Sequence, residues 1–238
     1  MTYQINTLSS LKRHWLINNS NIPVRFIGWE PKDIIADKGH FPEEISQWLS
    51  EALTGQVIKK IGGLGTTGVG LLFDGGPGLG KTTHAVTAVM EFIRNLPDDE
   101  ELAKKILSVH ANDYGRSLRP IHYLTFPEFL NKKKAIFDAS LDERRDLYEE
   151  VEGFHGRSKY DNLNVRILVL DDLGKEYASA YNDASFDEIL RSRYDKGLPT
   201  IVTTNVPREN WAKQYKEAMG SFAYEAFHRV QLTGKDLR

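Results

Sequence analysis

Eight consecutive residues carry the most specific chemical signal in the chain. Gly75-Gly76-Pro77-Gly78-Leu79-Gly80-Lys81-Thr82 fits the pattern G-x-x-x-x-G-K-[ST] at every fixed position. Glycines at such spacing let successive backbone N–H groups converge, which makes a concave anion site. A helix that starts where the loop ends aims its positive pole at the same anion. Lys81 adds a point charge suited to the outer phosphates of a nucleoside triphosphate, and the Thr82 hydroxyl suits Mg²⁺. Thr83 is counted with the loop as a nucleotide contact. The chemistry implied is binding of ATP with Mg²⁺.

A second pattern supplies acids. Ile167-Leu168-Val169-Leu170-Asp171-Asp172 is four apolar residues followed by two carboxylates, the form of a Walker B strand. A buried parallel strand delivers the residues after it to the carboxyl edge of a sheet, where ligands bind. Asp171 would hold the metal and Asp172 would orient or deprotonate an attacking water. A solvated turn after a buried strand looks the same in isolation; the phosphate loop upstream favours the chemical reading. An aspartate rather than a glutamate at position 172 leaves the strength of hydrolysis open.

Three further features have two readings each. Asn205 ends the run Thr200-Ile201-Val202-Thr203-Thr204 and would lie beside the γ-phosphate if that strand neighbours the Asp171 strand; it would equally cap a turn before Pro207. Residues 222–230 read as a short amphipathic helix with Arg229 at its end. That places Arg229 either toward a neighbouring subunit's phosphoryl group or toward solvent and the helix dipole. Lys132, Lys133 and Lys134, flanked by Phe129 and Phe137, make either a strip for a single-stranded nucleic acid backbone or the wet face of a helix with both rings in the core.

The elements that must position these residues alternate. Apolar runs at 69–73, 121–125, 166–170, 200–204 and 230–233 read as strands. Helices are expected at 81–95, with Ala85, Ala88, Val89, Phe92 and Ile93 inward, and at 127–137 and 141–152. Another should start near Pro42 and present Ile45, Trp48, Leu49, Ala52 and Leu53 on one face, ended by the glycines at 62–65. Residues 1–41 read as an arm with one short helix around Leu8, Leu11, Trp15 and Leu16, and 97–101 as a solvated connection. This alternation defines an α/β protein with a parallel sheet.

Bulk properties narrow the class. The net charge of −2 gives no field to draw the whole chain onto nucleic acid, so such binding needs a local patch or several subunits. With no cysteine, disulfides, thiolate metal sites and cysteine nucleophiles are excluded. No run approaches the roughly 20 apolar residues that span a bilayer. A soluble, cytoplasmic protein without a membrane partner is expected.

The order GGPGLGKTT, ILVLDDLG, RSRYDKGLPTIVTTN resembles the AAA+ ATPases of the DnaC-type helicase loaders and their relatives, the IstB-type transposition helpers. Asn21-Ile22-Pro23-Val24-Arg25-Phe26 is similar to the lead-in that precedes this ATPase core. The resemblance implies a P-loop NTPase sandwich with a five-stranded parallel sheet of order 5-1-4-3-2 and no C-terminal lid domain. Loaders of this kind carry a sizeable N-terminal helicase-binding domain; here the arm at 1–41, with its short helix at Trp15, is expected to offer the partner-binding segment, and 42–238 to form the ATPase domain. It assigns Lys81 and Thr82 to nucleotide and metal, Asp171 and Asp172 to the acid pair, Asn205 to a phosphate sensor and Arg229 to an arginine finger. Arg193 matches a recurrent arginine before the fourth strand, with a place near the nucleotide and subunit interface. The partners implied are a DnaB-type replicative helicase, single-stranded DNA and further copies of the chain, with ATP at subunit interfaces. A transposition helper and a weakly hydrolysing nucleotide-switched adaptor are the alternatives. A small-molecule kinase does not account for the Asp171-Asp172 strand end followed by Asn205.

Overall fold

The computed structural model describes residues 8–57, 67–107, 119–177 and 179–234. The glycines expected to close the helix after Pro42, residues 62–65, lie outside the described residues. The sheet has five strands: β1 (Gly70–Gly75), β2 (Arg119–Thr125), β3 (Val165–Leu173), β4 (Thr200–Thr204) and β5 (Phe227–Leu232). Their order is β2-β3-β4-β1-β5, which is the expected order read from the other edge, and every pairing is parallel. Strands covered on both faces read as near-continuous apolar runs, which is why β1, β3 and β4 stand out in the sequence.

Helices cover both faces. On one side lie α1 (Ser10–His14), α2 (Pro31–Lys38), α3 (Glu43–Thr54), α4 (Lys81–Asn95) and α5 (Glu100–Leu107), the last beginning inside the expected connection. Ile45, Trp48 and Ala52 of α3 and Ala85, Ala88, Val89, Phe92 and Ile93 of α4 are buried there with Leu71, Phe73, Ile167, Val169 and Ile201 of the sheet. The other face carries α6 (Phe126–Asp138), α7 (Leu141–Phe154), α8 (Ala180–Asp195), α9 (Trp211–Tyr215) and α10 (Glu217–Ala226). Leu72, Leu168, Leu170 and Val202 pack against these. Strand parity therefore sorts the side chains in the middle of these strands: Leu71, Phe73, Ile167, Val169 and Ile201 face α4, and Leu72, Leu168, Leu170 and Val202 face the other way.

Local signals start the helices. Thr125 and Glu128 form a reciprocal capping box at the head of α6, with Pro127 in the first turn. Ser140 and Glu143 do the same for α7. The arm is not separate from the core. Trp15, Leu16 and Ile22 are buried on the α4 side, and Lys12 donates to the carbonyl of Arg94 near the end of α4.

One predicted element is overturned. Residues 222–230 are not one helix, because α10 ends at Ala226 and β5 begins at Phe227. The apolar spacing of Phe222, Ala223, Ala226, Phe227 and Val230 satisfies a helical pattern. Parallel pairing with β1 from Gly70–Phe227 through Gly75–Leu232 decides the matter for the last residues. Within β5 the contacts alternate. His228 bonds Glu51 of α3, Arg229 reaches the opposite face, and Val230 returns to the α4 side.

Candidate functional site

The phosphate loop connects β1 to α4. Gly75, Gly78 and Gly80 have φ of +150°, +73° and +81°, a sequence of backbone turns that L side chains resist. Gly80 caps α4 in the left-handed conformation, and the helix begins at Lys81. Lys81 is nearly buried, and its Nζ donates to the carbonyls of Gly75 (2.9 Å) and Gly76 (2.6 Å). The ammonium thus lies against the loop's own backbone, where phosphate oxygens would compete for it.

The acid strand meets this loop. Thr82 Oγ1 lies 2.9 Å and 3.1 Å from the two carboxylate oxygens of Asp171, although the residues are 89 positions apart. Asp171 also accepts the hydroxyl of Thr203 of β4 at 2.5 Å and that of Tyr123 of β2 at 2.6 Å. Parity explains the convergence, since Thr203 and Asp171 are odd positions on adjacent strands and both face α4. Burial pushes the Asp171 carboxyl above its usual range, against the opposing pull of the hydroxyls of Thr203, Tyr123 and Thr82. Burial, then the Asp171 charge, raises the Tyr123 phenol far above its ordinary value. A hydroxyl and a carboxylate in contact are hard oxygen donors, and they fit a Mg²⁺ shared with substrate phosphates. Among the described residues no group of three or more His, Cys, Asp or Glu could hold a metal by itself.

Asp172 departs from this cluster. β3 is irregular against β4 between Leu170 and Leu173, and Asp172 takes a left-handed φ of +61° there. Its amide donates to Thr203 Oγ1 at 3.0 Å, and its carboxylate pairs with Lys175 at 2.6 Å. Asn205 follows β4, which does neighbour β3. Its exposed side chain lines a cavity of about 590 Å³ with Glu176, Asp183, Lys213 and Tyr215.

Two arginines do not take the places expected of them. Arg229 lies in β5, not at a helix end. Its Nη2 is 2.6 Å from Asp74, the residue just before the phosphate loop, and its other nitrogens bond Asp74 and Glu209. Asp74 is buried and also accepts the amide of Arg208 at 2.9 Å. Hydrogen bonding to Asp74 raises the Arg229 guanidinium well above its usual value. Arg229 is therefore engaged within its own chain. Arg193 is completely buried at the opposite edge of the sheet. Its five N–H groups go to Thr200 Oγ1 and the carbonyls of Phe154, Val165, Arg166 and Pro199, at 2.6–3.1 Å. With every donor used inside the protein, it has nothing to offer a nucleotide or a neighbouring subunit.

The lysine strip is largely neutralised. Lys132 pairs with Glu150 and Lys133 with Glu188, while Lys134 is exposed. Phe129 is in the core, but Phe137 is exposed.

A site that the sequence did not disclose flanks the loop. A cavity of about 200 Å³ is lined by Lys38, His40, Leu79, His84, Val230 and Leu232, among others. His84 is buried, its Nδ1 lies 2.8 Å from the Gly80 carbonyl, and burial lowers its pKa against the opposing pull of that carbonyl. The cavity joins residues from the arm, the phosphate loop, α4 and β5, which no single motif spans.

Sheet order, phosphate loop and acid strand together define the AAA+ P-loop ATPase fold. Two solved structures share it across nearly their whole length. The crystal structure of the DnaC helicase loader superposes with a TM-score of 0.53 at 19% identity, covering 91% of this chain and 98% of that one. The crystal structure of DnaI gives 0.55 at 20% identity, covering 90% and 96%. No protein-family model and no curated protein sequence matches the chain. Among the described residues no helix is long and apolar enough to cross a membrane.

Proposed function

We propose that the chain binds ATP with Mg²⁺ at the loop from Gly75 to Thr83, and acts in DNA replication as a nucleotide-dependent loader of a replicative helicase. The observation that carries the nucleotide reading is the contact between Thr82 and Asp171. It joins the phosphate loop to the acid strand on the face where α4 starts. Lys81 would bind the outer phosphates, and the cavity at Leu79 and His84 would receive the base. Thr82 and Asp171 would hold Mg²⁺, which neutralises charge on the phosphoryl group being transferred. Asp172 would orient the attacking water once freed from Lys175, and Asn205 would respond to the γ-phosphate from the end of β4. The loader role is supported by the fold shared with DnaC and DnaI over at least nine-tenths of each chain. Single-stranded DNA and further copies of the chain are the other partners this role requires.

A second reading has a specific observation behind it. Asp172 is paired with Lys175, and Arg229 is held by Asp74 and Glu209 in its own chain. Both contacts favour an adaptor that binds ATP and hydrolyses it slowly. Calorimetry with Mg·ATP tests binding. A heat that vanishes in Lys81→Ala supports the site, and no heat in the unmodified chain overturns it. Co-purification with a replicative helicase only when ATP is present supports loading; its absence under both conditions removes that role. Steady phosphate release that Lys175→Ala does not raise argues against the slow adaptor.

A further inference from the structure

The metal-site carboxylate has a support that no motif contains. Asp171 accepts from three hydroxyls, and they are not equivalent. Thr82 and Thr203 both reach Oδ1, whereas Oδ2 is reached by Thr82 and Tyr123. If Thr82 turns to a metal, as its place in the phosphate loop requires, Thr203 and Tyr123 remain, one on each oxygen. Those two bonds then fix the plane of the carboxylate, and only Tyr123 secures Oδ2. A partner that orients a metal ligand without touching the metal has a large effect on affinity.

Tyr123 is in turn fixed from outside the sheet. β2 is an edge strand, and an edge strand has one row of main-chain groups without a strand partner. At Tyr123 both of those groups are taken by the N-terminal arm. The Tyr123 amide donates to the Ser20 carbonyl at 2.7 Å, and the Asn21 side-chain amide donates to the Tyr123 carbonyl at 2.9 Å. This grip is itself built. Ser20 is fully buried, and its hydroxyl donates to the Leu16 carbonyl and accepts the Ile22 amide. Asn21 takes a left-handed φ of +56°, a conformation asparagine tolerates better than most residues. A tyrosine has two side-chain torsions, so the position of its backbone largely sets the position of its hydroxyl.

We infer that Tyr123 is a positioning residue for the Mg²⁺-binding carboxylate, and that Ser20 and Asn21 of the arm hold it in register. The inference rests on reading Asp171 as a metal ligand. It makes the arm a lever on the metal site: whatever draws residues 20–21 off β2 loosens Oδ2 of Asp171.

The test uses the full chain and a fluorescent ATP analogue, first in metal-free buffer and then with increasing Mg²⁺. Tyr123→Phe keeps the buried ring and removes only the hydroxyl. Asn21→Gly keeps the left-handed backbone and removes only the amide donor. Both variants should bind the analogue without metal within twofold of the unmodified chain. The Mg²⁺ concentration that gives half of the metal-dependent gain should rise roughly tenfold in Tyr123→Phe and less, about threefold, in Asn21→Gly. An unchanged Mg²⁺ midpoint in Tyr123→Phe overturns the proposal. So does a parallel loss of metal-free binding, which marks a merely structural tyrosine. A shift in Tyr123→Phe with none in Asn21→Gly overturns the role of the arm. No binding by the unmodified chain with or without metal is a separate result, because it removes the nucleotide reading itself.

Discussion

At each end of its strands the sheet buries a charge with no ion-pair partner among the described residues, and the two are handled in opposite ways. At the carboxyl edge Asp171 is an anion held by three side-chain hydroxyls, of which that of Thr82 can turn away to a metal. At the amino edge Arg193 is a cation held by four main-chain carbonyls and one threonine. Carbonyls of the main chain cannot turn away, and the arginine has no donor left over. It ties the end of α7 and the starts of β3 and β4 into one knot, a purely internal task. The Thr82 hydroxyl can make way for a cation without breaking the backbone, while Thr203 and Tyr123 keep the carboxylate in place. A buried charge with rotating partners is built for exchange, and one with main-chain partners is built for permanence.

The largest expected effect breaks the permanent one. Arg193→Met takes a donor from each of four buried carbonyls, of which Pro199 keeps the Leu168 amide, at a cost of about 3–5 kcal/mol in unfolding free energy. Arg193→Lys should recover only part of this, since an ammonium has three donors and no planar fork. Urea unfolding measures both. If either variant unfolds at the same midpoint as the parent chain, the knot is dispensable and the contrast fails from that side.

Asp171→Asn should behave differently. Burial already disfavours the charged carboxyl, so a neutral amide of the same size removes an electrostatic cost while losing some hydroxyl bonds. The unfolding free energy should stay within about 1 kcal/mol of the parent. Nucleotide affinity in metal-free buffer should persist, but its gain on adding Mg²⁺ should disappear. A large loss of stability would show Asp171 to be a second structural staple.

This contrast was only half legible in the sequence. Phosphate loop, acid strand and parallel strands were readable because each depends on residues adjacent in the chain or on runs buried from both sides, whereas the sheet order came only with the family resemblance. Arg193 was not, since its acceptors at Phe154, Val165, Arg166 and Pro199 come from three other places in the sequence. Arg229 was misplaced for the same reason: residues 222–230 satisfy a helical pattern, and only the partner strand β1 turns the last of them into β5. Tyr123 looks in sequence like any core tyrosine. A usable signal was strand parity, which puts Tyr123 on the same face as Ile121 and puts Thr203 on the same face as Ile201. That face is the one covered by α4.

The smallest effect uses a histidine next to Tyr123, on the opposite face of β2, as a probe. His122 is the residue before Tyr123; it is buried, stacked on Phe154 and within 2.7 Å of the Arg119 guanidinium. Burial, then the Arg119 charge, lowers its pKa from 6.5 to about 3. The sign follows from proton counting. Between these values the unfolded chain binds a proton at His122 and the native chain does not, so stability is complete above pH 6.5 and falls as the pH falls toward 3. One proton corresponds to about 1.4 kcal/mol for each pH unit, so the loss at pH 5.5 should be about 1.4 kcal/mol. His122→Gln should remove this part of the slope without moving the Mg²⁺ midpoint, because the ring does not touch Asp171. A pH slope that survives the substitution assigns the acid sensitivity elsewhere, with buried neutral His155 the next residue to replace. A Mg²⁺ midpoint that moves with His122→Gln would instead mean that strand β2 transmits its packing to the carboxylate generally, and not through the Tyr123 hydroxyl alone.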